Sequence, residues 1–409
     1  MRIVWKSDEI NFDNAATTPP LRSVIKAVRE FAPIYASVHR GNGKHSRLSS
    51  ELYEASRYEI MDFFGASAEQ NTLIYLKNTT EAINKLSNRL SRSSGKKDTV
   101  IATRMEHHSN DLPWRRNFKV LYAGLTPSGR LDLEDLEIKL KENAGRVRLV
   151  AVTAASNVTG YVNPLHQIAE ISHRYGAEIF ADCAQYTAHL PLDMKDRYAS
   201  DHIDYIAFSS HKMYAPFGIG VLIGHSGSFT GEPDCSGGGT VKFVTEGDVI
   251  WDDPPHNEEG GTPNLIGVVA LLAAIKSLKT FGMRNIGNRE AELSAYAFEK
   301  LSGIKGIKLY SDRSLPRIGV ITFNLKDIFH EDLSAALSDR AGIAVRSGCF
   351  CAQPYVQNLL RLSGDEILKY KHKPLSERPG MVRVSFGFYN RKKEVDLLID
   401  SLQEFLTEG

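Results

Sequence analysis

Three turns carry residue types suited to covalent and proton-transfer chemistry. The segment DYIAFSSHKM places His211 and Lys212 directly after an apolar run, with Ser209 at the run's end. A lysine closing a buried strand sits where an ammonium is costly, and its pKa shifts readily there. The alternative is a stem that carries the charge out to solvent. A second run, AEIFADCAQ, ends on Asp182, with Gln185 three residues on. A carboxylate there stays ionised only against a cation or a ring N–H. In TLIYLKNTTEAIN, Thr79 and Thr80 precede a helical stretch that begins near Glu81. Free N–H groups, two hydroxyls and the positive end of a helix dipole make a phosphate cup. The same pattern is also an ordinary Thr N-cap. A lysine, an aspartate and a phosphate cup together match the needs of pyridoxal 5′-phosphate: a Schiff-base amine, a partner for the pyridinium nitrogen and a cradle.

The turn RMEHHSN holds His107 and His108. Adjacent side chains point in different directions, so at most one of the two faces a ligand. No HExxH-type spacing exists, and of the cysteines only Cys349 and Cys351 lie close together, while Cys183 and Cys235 are isolated. No metal centre is expected from this pattern.

These turns need a frame that delivers them to one place. Strand candidates are TLIYL (72–76), TVIAT (99–103), RLVAVT (148–153), AEIFAD (177–182) and DYIAFSS (204–210). Helix candidates are Leu21–Phe31, Leu48–Phe64, Glu81–Leu90, Leu133–Lys141 and Leu165–Tyr175. The alternation predicts an α/β fold with a mainly parallel sheet, whose ligands gather at the carboxyl ends of the strands. From Asn264 the pattern changes to helices Leu265–Phe281 and Arg284–Leu301, strands 307–311 and 319–325, helix Asp332–Ala341, strands 343–347 and 381–387, and helix Lys392–Leu406. This predicts a large cofactor-binding domain over 1–265, whose N-terminal segment can pack on a smaller α+β domain over 266–409.

With 409 residues, 42% of them hydrophobic, the chain has material for more than one core. Lys+Arg total 50 against 49 Asp+Glu, which argues against a bulk basic surface for nucleic acid. The longest apolar run, Val268 to Ile275, is far short of the ~20 residues of a membrane helix, and MRIVWKSDEI lacks a signal-peptide core. Four cysteines make no disulfide framework. A cytoplasmic enzyme is expected, with neither membrane nor nucleic acid as partner.

An ordered series of motifs runs along nearly the whole chain: NFDNAATTPP (11–20), SVHRG (37–41), NTTEAIN (78–84), EHHSN (106–110), SNVTG (156–160), ADCAQ (181–185), SSHKMYAPFGIG (209–220), GGTPN (260–264), VRSGCFCAQP (345–354) and VRVSFGFYN (382–390). The series resembles the class V, fold-type I pyridoxal-phosphate enzymes, and within them the cysteine desulfurase/selenocysteine lyase family. The resemblance implies that Lys212 binds the cofactor covalently, that Asp182 pairs with the pyridinium nitrogen and that His107 stacks on the ring and helps with proton transfer. Thr79, Thr80, Ser209 and His211 are expected at the phosphate, with Thr262 reaching in from the partner of a homodimer. Gln185 and Asn157 are expected at the ring hydroxyl side or the substrate, and Arg383 at the substrate carboxylate, as a bidentate fork. Cys351, after the R-S-G of 346–348, matches the nucleophile that takes sulfur from L-cysteine, leaving L-alanine. The compact loop resembles that of relatives that pass sulfur to an acceptor protein, for iron–sulfur clusters among other uses.

Departures from the pattern keep alternatives open. Cys349 stands where many relatives carry histidine, and CFC also occurs in the desulfurase-like domain of molybdenum-cofactor sulfurases. Selenocysteine lyase and a class V aminotransferase or lyase are further readings. Cys183 reads as a small buried filler. HRGNGKHS (39–46) is longer than the usual stretch, which leaves the role of His45 open.

Overall fold

The structure, a computed structural model, describes residues 1–5, 8–93 and 95–408. A seven-stranded sheet forms its larger layer, in the order Asn71–Leu76, Gly220–His225, Tyr205–Ser209, Glu178–Asp182, Val147–Thr153, Thr99–Thr103 and Lys119–Ala123. Every pairing is parallel except those of Gly220–His225, which runs antiparallel to both neighbours. Thr99–Thr103 and Tyr205–Ser209 are buried at every position, as expected of strands covered on both faces. The predicted α/β class and mainly parallel sheet are observed. Two strands of this sheet were not anticipated. Lys119–Ala123 is a short, half-exposed edge strand, and Gly220–His225 is bounded by glycines that read as turn. Gly220 is there for proximity: a Cβ would lie 2.5 Å from the backbone of Asn78, in the turn that opens the next helix.

A second, four-stranded antiparallel sheet runs Ile307–Leu309, Val320–Leu325, Met381–Ser385 and Arg346–Gly348. The expected single strand over 343–347 is divided. Ile343–Ala344 pairs in parallel with Ile10–Asn11, while Arg346–Gly348 pairs with Met381–Ser385. The N-terminal segment thus enters this second layer, and Phe12 sits in its core with Phe323, Val382 and Val384. The apolar side chains of Leu265–Phe281 pack instead with the core of the larger sheet. Helices Gln353–Leu360 and Gly364–Tyr370 were also unforeseen. Pro354 stands in the first turn of the former, where a missing N–H is tolerated.

Helix Lys44–Phe63 begins a turn earlier than expected, capped by Gly43. Helix Thr79–Arg92 contains both threonines instead of following them. Its N-cap is Asn78, whose side chain accepts the N–H of Glu81 at 2.9 Å, and this leaves the two hydroxyls free for other work. Arg57 clasps Glu259 through two 2.7 Å hydrogen bonds and lies between the rings of Tyr53 and Tyr75, 4.7 and 4.8 Å from their centroids. Removing one partner of such a buried pair costs about 3–5 kcal/mol. The clasp anchors the segment that leads to Thr262. Among the described residues, no single helix is long and apolar enough to cross a membrane.

Candidate active site

The carboxyl ends of the parallel strands open on a cavity of about 380 Å³, within the range typical of small-molecule sites. Asp182 closes Glu178–Asp182, and Lys212 lies in the short turn after Tyr205–Ser209; both line the cavity. Loss of water pushes the Lys212 amine down to about 8, against the pull of Asp182. Burial also raises the Asp182 carboxyl, an effect that the Ala184 N–H (3.0 Å to Oδ1) and Lys212 offset in part.

One wall is the helix opening at Asn78. The Thr79 N–H donates to Ser209 Oγ at 2.8 Å, and the two side-chain oxygens are 2.7 Å apart. Thr80 Oγ1 lies 2.7 Å from Ser109 Oγ. His211 joins this wall, its imidazole held down at about 4 by burial and by Lys212. Hydroxyls, a helix N-terminus and a glycine-dependent close approach at Gly220 form a cup whose donors suit a phosphate. Ser109 was missed as a member; its position within EHHSN was the available signal.

The adjacent histidines divide as expected. His107 lines the cavity, its Nδ1 accepting the Ser109 N–H at 3.1 Å, and burial with Lys212 nearby pushes the ring down to about 3. His108 faces away, and its Nε2 accepts the Gln353 N–H at 3.1 Å. Glu106, just before them, is fully buried. It accepts from Thr103 Oγ1 (2.5 Å), the Thr153 N–H (2.9 Å) and Asn110 Nδ2 (2.6 Å), and desolvation pushes its carboxyl up to about 8. It ties the histidine turn to the end of the neighbouring strand.

The opposite wall comes from the second sheet and its loop. Arg383 is buried; its Nη1 donates to the Asn157 carbonyl and its Nη2 to Asp13 Oδ1, both at 3.0 Å. Its Nε is buried and has no partner among the described residues. Burial holds this guanidinium down at about 10, against the pull of Asp13. Asp13 also accepts from Arg346 at 2.8 Å. Neither Asp13 nor Arg346 was recognised as part of the site, because their pairing joins chain segments far apart in sequence. Asn157 Nδ2 donates to the Phe350 carbonyl at 2.7 Å, and the Phe350 ring lies 4.9 Å from the Arg383 guanidinium. Cys351 follows, exposed and lining the cavity. Phe350 and Cys351 both have left-handed backbones, at φ 52° and 54°, a strained choice for non-glycine residues.

Gln185 lines the cavity, its amide pinned on the Ala15 carbonyl at 2.6 Å. Thr262 is exposed and outside the cavity of its own chain, as is His45. Cys183 is fully buried, in the core. Cys349 faces a separate cleft, of about 230 Å³, between helices Gln353–Leu360 and Gly364–Tyr370.

The donor set fits pyridoxal phosphate: an amine of lowered pKa, a buried carboxylate, a hydroxyl-lined helix N-terminus and an unpartnered guanidinium Nε surround one cavity. A sequence model described as aminotransferase class-V matches residues 10–398. Over 403 residues the chain is 36% identical to a probable cysteine desulfurase of Halalkalibacterium halodurans, covering 97% of this chain and 92% of that one. A cysteine desulfurase of Haloferax volcanii is 33% identical over 404 residues, covering 96% and 88%. The solved apo structure of cysteine desulfurase from Thermococcus onnurineus NA1 superposes with a TM-score of 0.87 at 32% identity, covering 98% of this chain and 96% of that one. By sequence match, fold and strand-end geometry alike, the chain belongs to the aminotransferase class-V family.

Proposed function

We propose that the protein is a pyridoxal-phosphate-dependent cysteine desulfurase. The observation that carries this reading is Cys351, which lines the same cavity as Lys212, Asp182 and Arg383. An aminotransferase needs no thiol there. The names of the relatives above point to the same substrate, L-cysteine.

When bound, the cofactor supplies an electron sink for charge developing at the substrate Cα. Lys212 would hold it covalently, Asp182 would keep the ring nitrogen protonated, and His107 would cover the ring face. Thr79, Thr80, Ser209 and His211 would hold the phosphate, and Gln185 the ring oxygen. Arg383, which lines the cavity, would orient the substrate through its carboxylate. Lys212, with its amine pKa near 8, is placed to take the proton from Cα and return it. The Cys351 thiolate then attacks the substrate sulfur. The carbon–sulfur bond breaks, a sulfur–sulfur bond forms, and the carbon skeleton takes up a proton. L-cysteine and the enzyme thiol thus become L-alanine and a Cys351 persulfide. A second copy of the chain would bring Thr262 to the phosphate, and an acceptor protein would collect sulfur from the exposed Cys351.

The test is mass spectrometry of the loop peptide after one turnover with L-cysteine. The persulfide is expected on Cys351, and Cys351→Ala should release no sulfide while still binding cofactor. Persulfide on Cys349 alone, with Cys351→Ala still active, would overturn the assignment.

A further inference from the structure

The amino end of the larger sheet, remote from the catalytic cavity, holds a second cluster. His173 lies in the last turn of helix Leu165–Arg174, and His202 and Asp204 immediately precede strand Tyr205–Ser209. His173 Nδ1 lies 2.8 Å from the Ser200 carbonyl, and His202 Nδ1 lies 2.7 Å from the Ala199 carbonyl. A carbonyl only accepts, so each ring must carry its proton on Nδ1. Both Nε2 atoms are thereby turned toward one carboxylate: His173 Nε2 is 2.8 Å from Asp204 Oδ2 and His202 Nε2 is 3.1 Å from Oδ1. The rings stack with centroids 4.3 Å apart and planes 25° from parallel. Asp204 is 8% exposed and is itself held by the Ile179 N–H, at 2.9 Å from Oδ2.

Protons serve this arrangement poorly. If both Nε2 atoms are protonated, as Asp204 and Glu178 favour for His173, two imidazolium rings stack face to face. If either is not, a lone pair faces a carboxylate oxygen. A divalent cation removes both conflicts, replacing the Nε2 protons and meeting the carboxylate. The ligand atoms already lie within 4.8 Å of one another, so bonds of ~2.0–2.2 Å need only small side-chain shifts. The backbone carbonyls on Nδ1 are the outer-shell partners that typically orient metal-binding imidazoles. A second His/Glu/His group, His39, Glu54 and His256, is less suited, because Arg57 Nε already holds Glu54 Oε2 at 3.1 Å.

We propose that His173, His202 and Asp204 form a binding site for a divalent first-row transition metal such as Zn²⁺, with water completing the coordination. Two imidazoles and one carboxylate favour such ions over Mg²⁺ and Ca²⁺. Asp204 and Ser209 bracket one strand, ~17 Å apart at ~3.3 Å per residue, so the metal is structural and joins a helix end to a strand start. Binding to the folded state alone raises stability by mass action.

The test uses the cofactor-loaded enzyme with its accessible thiols alkylated, so that Cys235, Cys349 and Cys351 take no metal. Zinc is titrated against a chelator of known affinity, and bound metal is counted by elemental analysis. We expect one Zn²⁺ per chain, a melting temperature that rises with Zn²⁺ but not with Mg²⁺, and at least about tenfold weaker binding in His202→Ala. His173→Gln provides a second variant should the first fail to fold, and desulfurase activity before alkylation is expected to persist in both. Failure of the wild type to bind Zn²⁺, or equal binding in wild type and variants, would overturn the site.

Discussion

His108→Ala should slow sulfur transfer without disturbing the cofactor, the reverse of what replacing its neighbour would do. Two contacts tie the histidine turn to the nucleophile loop. The His108 N–H donates to the Cys351 carbonyl at 2.6 Å, and His108 Nε2 accepts the Gln353 N–H at 3.1 Å. The substitution keeps the first and removes the second. The loop between them is strained: left-handed backbone at Phe350 and Cys351 costs about 1–2 kcal/mol at each residue. The bonds to Asn157 and His108 offset that cost. Losing a hydrogen bond in this half-buried place removes about 0.5–1.5 kcal/mol, or roughly 2- to 13-fold in the population of the aligned loop. Single-turnover alanine formation from L-cysteine should fall by that factor. The visible absorption of the bound cofactor and its retention on dialysis should match the wild type, since His108 does not line the cavity. An unchanged transfer rate would refute the coupling, and loss of cofactor would show that the histidine roles have been exchanged.

The other expectations are more direct. Lys212→Ala should fold yet lose all turnover, since no nearby amine replaces it; near wild-type activity would remove it from the mechanism. Asp182→Ala should retain cofactor through Lys212 and the phosphate cup while losing most of its rate, because the ring nitrogen loses its proton; an unaltered spectrum at full rate would refute the pairing. In the cofactor-free protein His107 is held near 3, so between pH 6.5 and 3 the unfolded chain binds a proton that the folded one refuses. Stability from this group therefore falls as pH drops through that window. The wild type should lose more melting temperature from pH 7 to pH 5 than His107→Gln; equal losses would contradict the buried neutral ring.

Much of the site was legible because strand ends announce themselves. Asp182, Ser209 and Lys212 each follow a short apolar run, and placing those runs in one parallel sheet brings their ends together. The series of motifs supplied the rest of the expected set. What escaped were features set by distant partners. Asp13 reads as one polar residue in NFDNAATTPP, and only the second sheet brings it to Arg346 and Arg383. The left-handed loop was invisible, because Phe and Cys carry no local preference for that conformation. Gly220–His225 escaped because glycines at and near both its ends look like punctuation, although Gly220 serves close approach and not a turn.

Asp13 explains why the site can wait for substrate without collapsing. Arg383 is 2% exposed and Arg346 lies beside it, so two guanidiniums share a wall with the Lys212 amine. Unpaired, a buried guanidinium would cost several kcal/mol. Asp13 binds both arginines, and Asp182 faces Lys212. Before any cofactor binds, and with these groups charged, three cations face two carboxylates. In the proposed desulfurase, the cofactor phosphate and the substrate carboxylate would both bring negative charge to this wall, the carboxylate at Arg383. Cys351 lies within electrostatic reach of all three cations. In the proposed reaction the cations that would draw the substrate in are therefore the ones that face the thiol.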